Sequence, residues 1–265
     1  MSFHPISYHA AAWGDEWEKA LDDISIAGYQ GVEDLTCLYA NFFDRSEIAL
    51  RHLTQWRLVL SALWIQGDAV IEEKREEIHR ETLRRAEFLQ KMGSHVLVFD
   101  ISSREIAESE RKDFQTAAFA LNEIGKRCQD YDVNLCVLTR CDSRLSSEEE
   151  IDRLMNLVQE NAFFLCPDAG HLHCAGEDPV RILKTYGACV RHLVFRDVKP
   201  EAAKGEPPFC ELGEGTLDFR EIMHSLKGIS YQGGIAFVLD ESSYSPKESA
   251  EISYNYYKEI LAGES

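Results

Sequence analysis

Basic residues are scarce in this chain relative to acidic ones. Its 265 residues include 28 Lys and Arg against 46 Asp and Glu, which gives a formal net charge of −18. Such a protein repels phosphate backbones and anionic lipid, and nucleic-acid binding would require a local basic stripe. The basic cluster at Lys74–Arg85 is interleaved with Glu, as on a solvated helix face with i,i+4 ion pairs. We therefore expect no nucleic-acid partner and no membrane partner.

The chain also lacks the marks of secretion and of membrane insertion. It has no basic region followed by an apolar run near its first residues, and no apolar stretch long enough to cross a bilayer. None of its eight cysteines is spaced as C-x-x-C, and several lie inside apolar runs. This pattern favours free thiols in a reducing cytoplasm over a disulfide framework or a metal knot. We expect a cytoplasmic protein.

Short apolar runs alternate with longer helical patterns along the whole chain. Eight β-then-α units in this length fit one (β/α)8 barrel, a TIM barrel, and predict a single domain over 1–265. The alternative, a doubly wound open sheet, usually has a Gly-rich turn after its first strand, whereas this chain has HAAAWGDE at 9–16. The predicted strands lie at 3–8, 30–33, 57–63, 95–100, 133–139, 163–167, 192–196 and 235–239. The predicted helices lie near 15–27, 45–54, 70–92, 105–130, 147–160, 178–186, 217–227 and 246–262.

Active sites of such barrels form from the loops that follow the strands. The eight strand ends carry His9, Glu33 with Asp34, Trp64, Asp100, Arg140 with Asp142, Asp168 with His171, Arg196 with Asp197, and Asp240 with Glu241. Solvation or helix capping is the ordinary explanation for a polar residue at such a place, and we read Asp142, Asp197 and Glu241 in that way. Strand alternation should turn Glu33 and Asp240 toward the barrel axis.

The segment CPDAGHLHCAGEDPVRIL at 166–183 is the most informative in the chain. It places a carboxylate, Asp168, and an imidazole, His171, three residues apart at the end of a buried strand, where they suit proton or metal chemistry. Gly170 between them permits a tight backbone. Trp64 is a candidate for stacking on a ligand, although aromatic residues at strand ends more often cover a core.

Several segments together point to a known family. They are GYQGVE (28–33), PDAGHLHCAGEDP (167–179), HLVFRDVKP (192–200), LGEGTLDF (212–219) and YQGGIAFVLDES (231–242). With them the chain resembles, over nearly its whole length, the xylose isomerase-like TIM-barrel superfamily. That group includes sugar-phosphate isomerases and epimerases, inosose dehydratase, hydroxypyruvate isomerase and the endonuclease IV branch that cleaves abasic DNA. The resemblance implies the same barrel.

The resemblance also implies one divalent ion, held by a Glu on strand five, an Asp on strand six, a His on strand seven and a Glu on strand eight. Asp168 matches the strand-six ligand, but the other three positions hold Leu138, Val194 and Val238. Residues 130–145 contain no Glu or His, so a shifted alignment cannot restore the strand-five ligand. We expect no metal ion held by these ligands and no other cofactor.

Two arginines stand where the family has other residues. By the same resemblance, Arg140 replaces a His and Arg196 replaces a Lys, on the strands either side of Asp168. Guanidinium groups are permanently charged, and they bind carboxylate or phosphate through two parallel hydrogen bonds. We interpret the pair as a replacement for the ion that neutralises Asp168 and receives a ligand.

These features support two functions. The first is a metal-independent enzyme that isomerises, epimerises or dehydrates a small polyol, sugar or keto acid next to a carbonyl. Its catalytic candidates are Asp168, His171, Glu33 and Asp240, and its substrate-binding candidates are Arg140, Arg196, Trp64 and His9. The alternative is a non-catalytic barrel that binds a small molecule or a partner subunit. The DNA-repair branch would need a His-rich metal cluster and a basic face. A relocated metal site stays open, as does assembly into a homo-oligomer.

Overall fold

The architecture is a barrel of eight parallel strands with helices between them, as the sequence predicts. A computed structural model describes residues 5–34, 36–67, 75–101, 110–201 and 208–263. The strands are β1 (Ile6–His9), β2 (Gly31–Glu33), β3 (Val59–Gly67), β4 (Val96–Ile101), β5 (Asn134–Leu138), β6 (Phe163–Cys166), β7 (His192–Phe195), β8 (Asp197–Val198), β9 (Phe209–Cys210) and β10 (Gly234–Phe237). The helices are α1 (Trp17–Ala27), α2 (Thr36–Phe42), α3 (Ser46–Gln55), α4 (Arg75–Met92), α5 (Glu110–Cys128), α6 (Glu148–Met155), α7 (Ala169–Cys174), α8 (Pro179–Tyr186), α9 (Phe219–Gly228) and α10 (Pro246–Ala262).

The barrel strands follow each other in the order β6-β5-β4-β3-β2-β1-β10-β7. Two parallel bridges, Leu165 to Val190 and Asp168 to Val194, close the ring between β6 and β7. The short strands β8 and β9 form a separate antiparallel pair beyond the end of β7. Because all barrel strands are parallel, their carboxyl ends meet at one rim, and that rim gathers the loops predicted to carry the site.

Apolar side chains occupy two compartments. The larger cluster lies between the strands and the helices that cover them. The smaller one consists of alternate residues on the barrel strands, and strand alternation places it inside the barrel. Its members are Ala62, Val98, Cys136, Leu138, Phe164, Cys166, Val194, Ala236 and Val238, with Trp64 and Val96 packed against them. The inside of the barrel is therefore a packed core, on top of which any site at the rim rests.

The predicted boundaries need four corrections. Strand β3 runs four residues beyond its predicted end, so Trp64 lies inside a strand and not at its end. Helices α2 and α7 replace stretches in which no helix was predicted, and α6 ends at Met155 instead of near residue 160. The start predicted for α6 is confirmed, because Ser147 forms a capping box with Glu150. Parts of the strand and helices predicted at 3–8, 70–92 and 105–130 lie outside the described residues.

Among the described residues, no helix combines the length and the apolar character that crossing a bilayer requires.

Candidate active site at the carboxyl ends of the strands

Asp168 is the centre of the rim, two residues beyond the end of β6 and fully buried. Its Oδ1 accepts a hydrogen bond of 3.0 Å from the backbone N–H of His171 and so caps helix α7. Its Oδ2 accepts one of 2.8 Å from Nε of Arg196. Its own backbone N–H donates to the hydroxyl of Thr139 over 2.9 Å. Both carboxylate oxygens therefore have protein partners.

Arg196 bridges two carboxylates. Its Nε donates to Asp168 and its Nη1 donates to Oδ2 of Asp240 over 3.0 Å, while only 4 % of its side chain is exposed. Its guanidinium also lies 4.8 Å from the centre of the Phe209 ring. Burial alone would lower the pKa of Arg196, but the carboxylates of Asp168 and Asp240 outweigh it and raise that pKa. The bridge holds a permanent positive charge at the rim.

Gly170 makes room for this arginine. A Cβ on residue 170 would lie 2.5 Å from Cγ of Arg196 and 2.8 Å from its backbone oxygen. The sequence suggested that glycine serves a tight turn here, but the residue lies within α7 and is not among the described positive-φ glycines. The glycine is required because the first turn of α7 packs directly on Arg196.

Arg140 does not contact Asp168, contrary to the interpretation of the sequence. Its Nε and Nη2 donate to the two oxygens of Asp142 over 2.9 and 2.8 Å, and its Nη1 donates to Asp100 over 3.1 Å. Arg140 lies two residues beyond the end of β5, where strand alternation no longer dictates the side-chain direction. Of the two arginines, Arg196 therefore neutralises Asp168 directly and Arg140 does not.

His171 is held from two sides and is 5 % exposed. Its Nδ1 lies 3.1 Å from the sulfur of Cys141, and its ring meets the edge of Phe209 with centroids 4.7 Å apart. Cys141 is half-buried, and its sulfur accepts a hydrogen bond from the thiol of Cys174. That bond, followed by the contact with His171, lowers the pKa of Cys141 to about 5. No pattern in the sequence marked either cysteine as part of this group.

Glu33 lies deeper in the barrel than the rim. It is fully buried, and its Oε2 lies 3.0 Å from Nε2 of His192 and 3.2 Å from the indole N–H of Trp64. Among the described residues, Oε1 of Glu33 and Nδ1 of His192 have no hydrogen-bond partner. His9 packs edge-on against Trp64, with centroids 4.6 Å apart, and its Nε2 lies 3.6 Å from Asp34. The structure thus brings Glu33, Trp64 and His9 together.

The three apolar positions in the expected ligand set lie in the barrel core. Leu138, Val194 and Val238 are each at most 2 % exposed and belong to the same interior cluster. Val194 forms a backbone bridge with Asp168, so these apolar side chains are next to the one carboxylate that matches. They offer no donor atoms to an ion.

Two cavities lie away from this rim. One, of about 950 Å³, opens at the amino ends of the strands and is lined by residues that include Arg57, Arg191 and His192. Another, of about 400 Å³, lies beside α8 and is lined by residues that include His173 and Asp218. A pocket at the carboxyl ends stays a prediction, because residues 68–74, 102–109 and 202–207 of the loops there lie outside the described residues.

Comparison with known proteins agrees with this architecture. The family model described as xylose isomerase-like TIM barrel matches residues 21–260. The chain belongs to the xylose isomerase-like TIM-barrel family. It is 26 % identical over 271 residues to an inosose dehydratase of Clostridium botulinum, covering 92 % of this chain and 89 % of that protein.

Two solved structures share the fold of this xylose isomerase-like barrel. The IolI protein, solved with a zinc atom bound, superposes with a TM-score of 0.83 at 15 % identity, covering 98 % of both chains. The probable 3-DHS dehydratase AsbF of Bacillus anthracis superposes with a TM-score of 0.81 at 13 % identity, covering 96 % of this chain and 98 % of that chain.

The family's usual ion does not fit the residues of this xylose isomerase-like chain. A divalent ion of the zinc type needs about four donors at about 2.0–2.3 Å. Of the four positions implied by the resemblance, only Asp168 carries a donor, and both of its oxygens are already hydrogen-bonded. The guanidinium of Arg196 supplies the positive charge beside it instead.

Proposed function

We propose that this chain is an enzyme that isomerises, epimerises or dehydrates a small polyol, sugar or keto acid next to a carbonyl, without a divalent ion in the family's usual position. Membership of the xylose isomerase-like family and similarity to inosose dehydratases support a sugar-like substrate. The observation that carries the proposal is the bridge from Asp168 through Arg196 to Asp240.

Arg196 is the electrophile in this proposal. A guanidinium has five N–H donors, of which Arg196 uses one for Asp168 and one for Asp240. Among the described residues, the other three donors have no hydrogen-bond partner, so they can bind a carbonyl oxygen of the substrate. Because the charge is permanent and fixed by two carboxylates, it stabilises the negative charge that develops on that oxygen without reorganisation of the site.

Asp240 and His171 are the proton carriers. Burial would raise the pKa of Asp240, but the positive charge of Arg196 outweighs that effect, and the pKa is lowered. The side chain is 58 % exposed, so an ionised Asp240 can accept a proton from the carbon next to the carbonyl. The electron pair of that C–H bond then moves to the oxygen held by Arg196.

The fate of this enediolate decides the reaction. A proton delivered from His171 to the opposite face gives an epimer and leaves the abstracted proton on Asp240. Transfer of the proton from Asp240 to the neighbouring carbon, with a hydroxyl proton passing between the two oxygens, gives an isomer. In a dehydration, the hydroxyl on the next carbon leaves as water with a proton from His171. Glu33 is enclosed, so it acts as a positioning residue that holds Trp64, and Trp64 and His9 line the floor below the substrate.

Leu138, Val194 and Val238 stand where the family resemblance implies metal ligands. Their apolar character favours a second candidate function, a barrel that binds a small molecule without converting it. Solvent exchange separates the two. The protein, freed of metal by a chelator, is incubated in deuterium oxide with cyclic keto polyols, ketohexoses and 2-keto acids, and the substrates are followed by NMR. We expect deuterium to enter the carbon next to the carbonyl of one class.

Asp240→Asn should slow this exchange by about 10²-fold or more, the range for loss of a positioned acid or base. The matched control is Asp178→Asn, because Asp178 caps helix α8 and lies away from the bridge. It should leave the exchange rate unchanged. Binding without exchange in every class would support the non-catalytic barrel. Activity that disappears with the chelator and returns with a metal ion, in dependence on Asp168, would contradict the proposal.

The remaining inferences concern the setting of the enzyme. All eight cysteines are free, which fits the reducing cytoplasm that we propose as its location. The net charge of −18 supports a small molecule over a nucleic acid as the partner.

A further inference from the structure

A second group of donor atoms lies at the rim, beside the Arg196 bridge. Cys141 follows β5, and His171 and Cys174 lie on helix α7, which follows β6. Strands β5 and β6 pair in register up to Leu138 and Cys166, so the segments that leave them run side by side. The two cysteines are 33 positions apart in the chain, yet the fold brings them into contact.

We propose that Cys141, Asp142 and His171 form a binding site for a thiophilic divalent cation of the zinc type. The sulfur of Cys174, which donates a hydrogen bond to that of Cys141, completes the set as the fourth ligand. Thiolate, imidazole and carboxylate are all ligands of zinc sites in proteins. This set shares no residue with the four positions implied by the family resemblance.

The distances suit such an ion. Zinc bonds of about 2.3 Å to sulfur and about 2.0–2.1 Å to nitrogen place the donors of a tetrahedral site roughly 3.5 Å apart. The Cys141 sulfur lies 3.1 Å from Nδ1 of His171, and donor atoms of Cys141, Asp142 and His171 all lie within 4.8 Å of one another. Small rotations of the side chains would bring them to bonding distance.

The chemical state of the donors also suits an ion. The lowered pKa of Cys141 makes it a thiolate at neutral pH, the form that binds metals. The pKa of Cys174 is raised because its proton is held in the hydrogen bond to Cys141, so an ion would displace that proton. Asp142 binds Arg140 through both oxygens, but a carboxylate has about four lone-pair positions and keeps room for one more bond.

The consequence for His171 follows from its two nitrogens. An ion on Nδ1 leaves the ring proton on Nε2 and fixes the orientation of the ring. The cation site uses no residue of the Arg196 bridge, so the two can coexist, but a bound ion would take His171 out of its role as proton donor. The site is tested through metal binding itself, and its failure would leave the proposed reaction untouched.

The test uses Co²⁺ and Zn²⁺ with the reduced, metal-free protein. We expect one Co²⁺ per chain with a thiolate-to-cobalt charge-transfer band, which Zn²⁺ then displaces because it binds such ligands more tightly. Cys141→Ser and Cys174→Ser should each weaken binding by more than the roughly 10–100-fold that loss of an outer partner costs. Cys189→Ser is the matched control, since that cysteine is free and half-buried but outside the group, and it should bind like the wild type.

Three results would overturn the proposal. One is cobalt binding without a charge-transfer band. Another is binding that both cysteine variants retain but Asp168→Asn loses, which would place the ion at the family's position. The third is a Cys141–Cys174 disulfide in the protein as purified, together with no metal binding after reduction. Circular dichroism and melting of the metal-free variants establish that each one is folded.

Discussion

Two arginines follow the strands on either side of Asp168, and they differ in their partners and in how deeply they are buried. Arg196 is 4 % exposed and joins the fully buried Asp168 to Asp240. Arg140 is 31 % exposed and joins Asp100 to Asp142, whose side chain is 56 % exposed. Both make bonds of about the same length, so geometry alone does not distinguish them. Their burial does, because a charge that has lost its water depends on its partner far more than an exposed charge does.

The two arginines have different roles at the barrel rim. Arg196 is part of the structure as much as of the site, since α7 packs on it at Gly170 and its partner Asp168 caps that helix. Arg140 keeps a water-facing side, and one of its two partners, Asp142, is exposed. We therefore expect removal of Arg196 to disturb the fold and removal of Arg140 to disturb only its surroundings.

Arg196→Met should have the largest effect. It removes the charge but keeps most of the aliphatic stem that packs against Gly170. The free energy of unfolding should fall by about 3–5 kcal/mol, because the Asp168 carboxylate is left buried without its cation. The measurement is urea unfolding, in which the midpoint shifts at an unchanged slope.

Adding Asp168→Asn to Arg196→Met should restore part of this loss. Asn still accepts the hydrogen bond from the His171 backbone, so the cap of α7 is kept while the unpaired charge is removed. In a double-mutant cycle the two changes should couple by about 0.5–3 kcal/mol. Additive effects would mean that the two side chains do not depend on each other, and the bridge would not be the feature that organises the rim.

Arg140→Met should cost about 1–3 kcal/mol, less than Arg196→Met, because it leaves the largely buried Asp100 without its arginine but can be offset by partial protonation of that carboxylate. Asp142 is exposed and can be solvated by water once the arginine is gone. A cycle with Asp168→Asn should be additive within about 0.3–0.5 kcal/mol, since Arg140 makes no hydrogen bond to Asp168. Strong coupling would revive the symmetrical role that the sequence suggested for the two arginines.

Much of the fold could be predicted from the sequence, because long periodic stretches dominate it. The eight strands and the longer helices such as α10 stand out by pattern alone. Helix α7 was missed since six residues are too few to form a stable helix by local preference. It exists because Asp168 caps it and Arg196 supports its first turn. The sequence marked Asp168 as functional but could not show that it also starts a helix.

The site was predicted less completely, for reasons of distance and direction. Strand alternation indicated correctly that Glu33 faces the barrel interior, but not that it is enclosed with His192. Beyond the strand ends that rule stops, and the direction of Arg140 could not be deduced. Cys141 and Cys174 carried no spacing signal, because only the pairing of β5 with β6 brings them together.

The smallest expected effect concerns one carboxylate from each bridge, Asp100 and Asp240, which should respond to acid in opposite ways. Burial raises the pKa of Asp100 above its ordinary value of 3.8, and Arg140 compensates only in part. For Asp240, burial is outweighed by Arg196, and the pKa falls below 3.8. Asp100 thus takes up a proton more readily in the folded chain than in the unfolded one, and Asp240 takes one up less readily.

The signs follow from linkage. As the pH falls toward 3.8, protonation of Asp100 favours the folded state, so this contribution to stability grows. Below 3.8 the unfolded chain protonates its Asp240 first, so that contribution is lost as the pH falls through the folded pKa. Carboxyl-carbon NMR titrations, assigned with Asp100→Asn and Asp240→Asn, measure both pKa values. Arg140→Met should raise the first and Arg196→Met the second; if Asp240 titrates above Asp100 in the wild type, the charge of Arg196 does not control the rim.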